Sequence, residues 1–251
     1  MRFQGQVAIV TGAGSGIGRA TALRFAREGA QVVGGTLEDG DLAPLERDGA
    51  GRIAAVGCDI TRADDVASLI GTALDRFGGV DILVNNAGGF VPGSIEEATE
   101  DDFDRMHTIN VKGAFLCSRA AVPRMRERGG GAIVNVSSIN GIRGNHRLAA
   151  YAASKGGVVA LTMAMALDHA AEGIRVNCVC PGTIEDTRMA NRGLSMADDK
   201  ERHLQYLLNK HPLGRFGRAE EVAGVIAFLA SSDASFVTGV TIPVDGGRSI
   251  R

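Results

Sequence analysis

Short, nearly continuous apolar runs alternate along this chain with longer segments in which apolar residues recur at helical spacing. The runs are "VAIVTG", "QVVGG", "RIAAVGCD", "VDILVNN", "GAIVNVSS", "IRVNCVCPG" and "GVTIPVDGG". Between them lie helical patterns such as "GRATALRFAREG", "ADDVASLIGTALDRFG", "DDFDRMHTINVKGAFLCSRAAVPRMRERG", "YAASKGGVVALTMAMALDHAAEG" and "AEEVAGVIAFLAS". Strands that are apolar on both faces and alternate with helices predict right-handed βαβ units and a parallel sheet covered on both sides. Seven strands are expected in one doubly wound α/β domain over residues 1–251, because no Pro-, Ser- or charge-rich linker divides the chain.

One stretch breaks the rhythm. Residues 183–217 are long, polar and charged between a strand and the next clear helix. Such a segment reads as a lid over a site or as a solvated pair of surface helices.

Composition narrows the partners. With 45% hydrophobic and 22% charged residues and a formal net charge of -2, the chain carries no electrostatic footprint for nucleic acid or for an anionic membrane. A small-molecule partner is the simpler expectation. No apolar run is expected to span a bilayer, so the chain reads as cytoplasmic. Cys58, Cys117, Cys178 and Cys180 are too scattered for a disulfide framework and lack the second pair a zinc site needs, so buried reduced thiols and no metal are expected.

Candidate chemistry begins after the first strand, where "TGAGSGIG" places Gly12, Gly16 and Gly18 in a GxxxGxG spacing that leads through Ser15 and Ile17 into a helix. Residues without side chains there let backbone N–H groups and a helix N-terminus approach a pyrophosphate. Ribose selectivity is expected at the end of the second strand, where Thr36 and Leu37 precede Glu38 and Asp39. No cation stands there or in the glycine loop, so NAD is favoured over NADP. Glu38 in a solvated turn is the alternative.

Downstream, Tyr151 and Lys155 stand four residues apart and share one helix face. Set in order, "TGAGSGIG", "CDI", "NNAG", "IN" at 109–110, "VSS", "YAASK" and "PGTIEDT" resemble the classical short-chain dehydrogenase/reductase family over essentially the whole chain. The resemblance implies a Rossmann-type fold and a catalytic tetrad of Asn110, Ser138, Tyr151 and Lys155. Tyr151 would exchange a proton with the substrate oxygen, Ser138 would hold that oxygen, Lys155 would lower the tyrosine pKa and bind the nicotinamide ribose, and Asn110 would hold a relay water. It further implies that Asp59 and Ile60 lie beside the adenine, Asn86, Ala87 and Gly88 beneath the ribose, and Pro181, Gly182, Ile184 and Thr187 along the nicotinamide.

For the substrate, Asn140 and His146 are expected to hydrogen-bond a hydroxylated molecule at Ser138 and Tyr151. Arg143, Asn145, Arg147, Phe90, Val91, Met189 and Arg192 are further candidates, although "GIRGNHR" could instead face water. A sugar, polyol or hydroxy acid oxidised with NAD is the favoured reading. The alternatives are an NADPH-dependent reductase of 3-oxoacyl or other ketone substrates and a nucleotide-sensing scaffold on the same fold. A homotetramer is implied, with a dimer as second choice, through "YAASKGGVVALTMAMALDHAAEG" and the helix near 102–128.

Overall fold

The computed structural model describes residues 1–188 and 199–251. Seven parallel strands form one sheet: β1 (Val7–Thr11), β2 (Gln31–Thr36), β3 (Ile53–Gly57), β4 (Ile82–Asn85), β5 (Gly131–Val136), β6 (Ile174–Pro181) and β7 (Thr241–Val244), in the order β3-β2-β1-β4-β5-β6-β7. Helices α1 (Gly16–Arg27) and α2 (Leu42–Asp48) follow β1 and β2, and α3 (Ala63–Phe77) follows β3. After β4 come α4 (Glu100–His107), a π-helical turn at Thr108–Lys112 and α5 (Gly113–Glu127). After β5 comes α6 (Ala149–His169); α7 (Lys200–Asn209) and α8 (Ala219–Ala230) lie between β6 and β7.

Continuous apolar strands require cover on both faces, and the buried residues divide accordingly. One layer packs Phe25, Val222 and Ile226 from α1 and α8 on Ala8, Val10 and Val134. The other packs Leu69, Cys117, Met125 and Met165 from α3, α5 and α6 on Ile9, Leu83 and Ile133. The predicted doubly wound α/β sheet is thus the observed one.

Strand order fixes the place of the site. β1 pairs with β2 on one side and with β4 on the other, so the connections leaving β1 and β4 diverge and open a crevice at the carboxyl ends of the strands.

One expectation needs correction. Ala149–Glu172 is apolar and long enough to cross a membrane by length and composition. Its many Ala and Gly residues account for this, and the segment lies against the sheet with Tyr151, Lys155, Val158 and Met165 buried. All four cysteines are free and buried, as expected. Among the described residues no group of three or more His, Cys, Asp or Glu side chains could hold a metal ion.

Candidate active site

The loop after β1 turns on Gly12 and Gly16, whose φ values of 65° and 51° favour residues without a Cβ. A Cβ on Gly12 would also stand 2.9 Å from the Ala87 Cα. The loop is pinned from below by Asn86, whose Nδ2 donates to the carbonyls of Thr11 and Gly12 at 2.9 and 3.2 Å, while Thr11 Oγ1 accepts from the N–H groups of Asn86 and Ala87. On the far side, a Cβ on Gly16 would come within 3.1 Å of the Thr187 methyl, so the segment after β6 folds over the loop. The result is a cavity of about 1700 Å³ at the crevice, above the range usual for a drug-sized ligand. Its narrow, side-chain-free floor at a helix N-terminus fits a dinucleotide pyrophosphate.

At the ribose end the structure departs from the sequence expectation. Thr36 is buried, and Leu37, 70% exposed, and Glu38, also exposed, line the cavity rim. A further carboxylate reaches the site, that of Asp41, with Oδ2 3.4 Å from Thr36 Oγ1 and pressed against Gly14. The expectation that no cation stands there is also corrected: Arg188 donates to both Asp41 oxygens at 2.9 and 2.8 Å. No spacing rule could have found either residue, since 147 positions separate them and only the crossing of the β6 segment over the loop brings them together. Asp59 Oδ1 accepts from Thr61 N and Oγ1, a short turn, and Asp59 and Ile60 both line the cavity.

At the other end, Ser138 caps the strand-to-helix turn after β5, accepting from the Asn140 N–H at 3.2 Å. Its hydroxyl hydrogen-bonds the Tyr151 phenol, whose ring meets Phe90 edge-on with centroids 5.1 Å apart. Lys155, one turn along α6, donates from Nζ to the Val136 carbonyl at 3.0 Å. Burial pushes the Tyr151 phenol up to about 12, against the downward pull of Ser138, with Cys180 adding to the rise. Burial brings the Lys155 ammonium down to about 8, opposed by Cys178 and Cys180. Ser138 favours the phenolate, and the lysine head is engaged on a backbone carbonyl.

Nearly every predicted site residue lines this one cavity, from Gly12, Ser15 and Ile17 to Asn140, His146, Pro181, Gly182 and Ile184. Gly18 and Asn110 do not, nor do the substrate candidates Val91 and Arg143. Gly18 packs beneath the loop, where a Cβ would stand 2.1 Å from the Gly12 carbonyl oxygen. Asn110 is buried in the π turn: its Oδ1 accepts from the Gly89 N–H at 2.8 Å and its Nδ2 donates to Ser154 Oγ at 2.9 Å. Ser154 Oγ in turn donates to the Tyr151 carbonyl at 2.8 Å, a link the sequence reading passed over although Ser154 lies inside the quoted YAASK. Met189 and Arg192 lie outside the described residues. The substrate end is completed by Phe216 and by Tyr206 and Leu207 of α7.

A glycine floor for a dinucleotide beside a serine–tyrosine pair and a buried lysine defines a nicotinamide-dependent oxidoreductase. Sequence comparison agrees with that class. A family model described as enoyl-(acyl carrier protein) reductase matches residues 12–249. The 3-oxoacyl-acyl-carrier-protein reductase of Thermotoga maritima is 41% identical over 253 residues, covering 100% of both chains. The meso-2,3-butanediol dehydrogenase of Serratia marcescens is 41% identical over 253 residues, covering 99% of this chain and 96% of the other. A short-chain dehydrogenase/reductase structure from Burkholderia xenovorans superposes with a TM-score of 0.94 at 38% identity, covering 100% and 98% of the two chains. The chain belongs to the short-chain dehydrogenase/reductase family. It is an oxidoreductase of CH–OH and carbonyl groups, dependent on NAD or NADP.

Proposed function

We propose that this enzyme transfers hydride between NAD and a hydroxylated secondary alcohol, with Tyr151 as general acid/base. The observation that carries the reading is the Ser138–Tyr151 hydrogen bond with Lys155 buried one turn away, both opening on the cavity floored by the glycine loop. The nicotinamide cofactor, when bound, accepts or supplies the hydride. The chain's own groups handle the proton and the placement. In oxidation Tyr151 takes the alcohol proton as the C–H hydride departs; in reduction it returns that proton to the carbonyl oxygen. Ser138 hydrogen-bonds both the tyrosine and that oxygen, which fixes the reacting atoms. Lys155 would hold the nicotinamide ribose, and Asn110, tied to Gly89 and Ser154, positions the loop and helix that meet at Tyr151. Asn140 Oδ1 is buried without a hydrogen-bond partner among the described residues, which suits a substrate hydroxyl. His146 is exposed on the cavity wall, within the substrate region. We read α7 and its flanks as the described part of a lid.

NAD is favoured because Asp41 stands at the ribose end, where it would repel a 2'-phosphate and accept from a 2'-hydroxyl. Arg188 favours the second reading, NADPH-dependent reduction of a 3-oxoacyl or other ketone, but both Asp41 oxygens hold it. NADH is expected to bind at least about tenfold tighter than NADPH in a fluorescence titration, and Asp41→Ser to narrow that gap by freeing Arg188. Tighter NADPH binding by the wild type would reverse the assignment.

We further read the enzyme as cytoplasmic, in keeping with four free cysteines, and as a homotetramer. Phe103, Phe115, Met163 and Leu167 on α4, α5 and α6 are 46–83% exposed, an apolar face that assembly would cover. Light scattering is expected to give four times the chain mass of 26.1 kDa, whereas a monomer at micromolar concentration would refute assembly through these helices.

A further inference from the structure

Five arginines and, apart from Lys155, one lysine line the cavity, and they sort by whether a carboxylate meets them. Arg105 pairs with Asp102 at 3.1 Å, Arg147 pairs with Glu97 at 2.6 Å and Arg188 pairs with Asp41 at 2.8 Å. Arg202, Lys210 and Arg248 differ: among the described residues no carboxylate lies within ion-pair distance of any of them, and of these the geometry singles out Lys210 and Arg248. Both line the same cavity as Ser138 and Tyr151.

Each of the two is nevertheless held in place. Lys210, at the C-terminal end of α7, donates from Nζ to Asn145 Oδ1 at 3.1 Å and sits 4.0 Å from the centroid of the Tyr206 ring. Arg248 is only 6% exposed; its Nη1 donates to Thr183 Oγ1 at 2.8 Å and its carbonyl accepts from Arg143. Asp245, an acid within electrostatic reach of Arg248, spends its two oxygens on the N–H groups of Gly247 and Ser249 at 3.0 and 2.6 Å. Burial and the neighbouring Arg143 hold the Arg248 guanidinium below its ordinary range. Neutral partners thus position two cations in the cavity lining without neutralising them, and a buried cation left so is costly until an anion arrives.

We propose that Lys210 and Arg248 form a carboxylate seat in the substrate pocket, so that the substrate is a hydroxy acid or oxo acid whose anionic end lies there while its hydroxyl or carbonyl meets Tyr151 and Ser138. The guanidinium fork suits the two oxygens of a carboxylate and the ammonium supplies a second contact. This rests on the acid/base reading of Tyr151 and selects the hydroxy-acid branch over sugars and polyols.

The test compares 4-methylpentanoate with its neutral primary amide, two molecules of one shape that differ in charge and lack a reactive hydroxyl. Each is titrated calorimetrically into the intact protein saturated with whichever reduced cofactor it binds. The acid is expected to bind about ten- to a hundredfold tighter than the amide at low salt. Lys210→Met should bring that ratio to within about twofold, and Lys210→Arg should keep it. Equal binding of acid and amide, no binding of the acid, or a ratio untouched by Lys210→Met would each overturn the seat. Failure of the acid/base reading shows elsewhere, as alcohol oxidation undiminished in Tyr151→Phe, to which the binding ratio is blind.

Discussion

Replacing Tyr151 by Phe is expected to lower kcat on the order of a thousandfold, about 4 kcal/mol of barrier, while NADH affinity changes by less than about threefold. The substitution removes one oxygen and leaves the ring, so the edge-on contact with Phe90 and the packing on Met106 and Ala150 persist. What disappears is the group that gives and takes the substrate proton and the hydrogen bond to Ser138. Ser138 still accepts from the Asn140 N–H, so the stability cost should stay near 1 kcal/mol. The phenol's rise to about 12 sharpens the expectation: in the protein alone it is a proton donor throughout the neutral range, so reduction should lose its acid outright in the variant. Steady-state turnover in both directions, with NADH binding measured separately, checks it. Turnover equal to wild type would remove Tyr151 from the chemistry.

The sheet was legible because each strand is apolar on both faces, a signal that survives without knowledge of tertiary contacts. The reactive pair was legible for a similar reason: Tyr151 and Lys155 are four residues apart on one helix, so their shared face is a matter of local geometry. Asp41, Arg188, Lys210 and Arg248 were not legible, because each acquires its place from the crossing of segments far apart in the chain. Leu37 shows a partial reading. The rule that ribose selectivity is written just after β2 points to that position, which does line the cavity, yet it could not show that the next short helix adds a carboxylate beside it. The electrostatics of the tyrosine were also hidden, since spacing gives no measure of the burial that raises its phenol.

Gly18→Val is expected to weaken NADH binding roughly a hundredfold and to lower the melting temperature, although Gly18 touches no part of the cavity. A Cβ there would stand 2.1 Å from the Gly12 carbonyl oxygen and 2.4 Å from Asn86 Nδ2. One obstacle is backbone, and the other is the amide that ties the glycine loop to the end of β4, so neither can yield without moving the loop. Overpacking of this kind costs on the order of 1–3 kcal/mol, and here it falls on the segment whose backbone would receive the pyrophosphate. Gly71 in α3 supplies the contrast. A Cβ at Gly71 meets nothing within 4 Å, so Gly71→Ala should leave NADH binding unchanged and raise stability by up to about 1 kcal/mol through helix propensity alone. Calorimetric melting and NADH titration of the two variants separate the outcomes. If Gly18→Val bound NADH as well as wild type, the loop would tolerate displacement, and the tight packing of α1 beneath it would not be what shapes the cofactor floor.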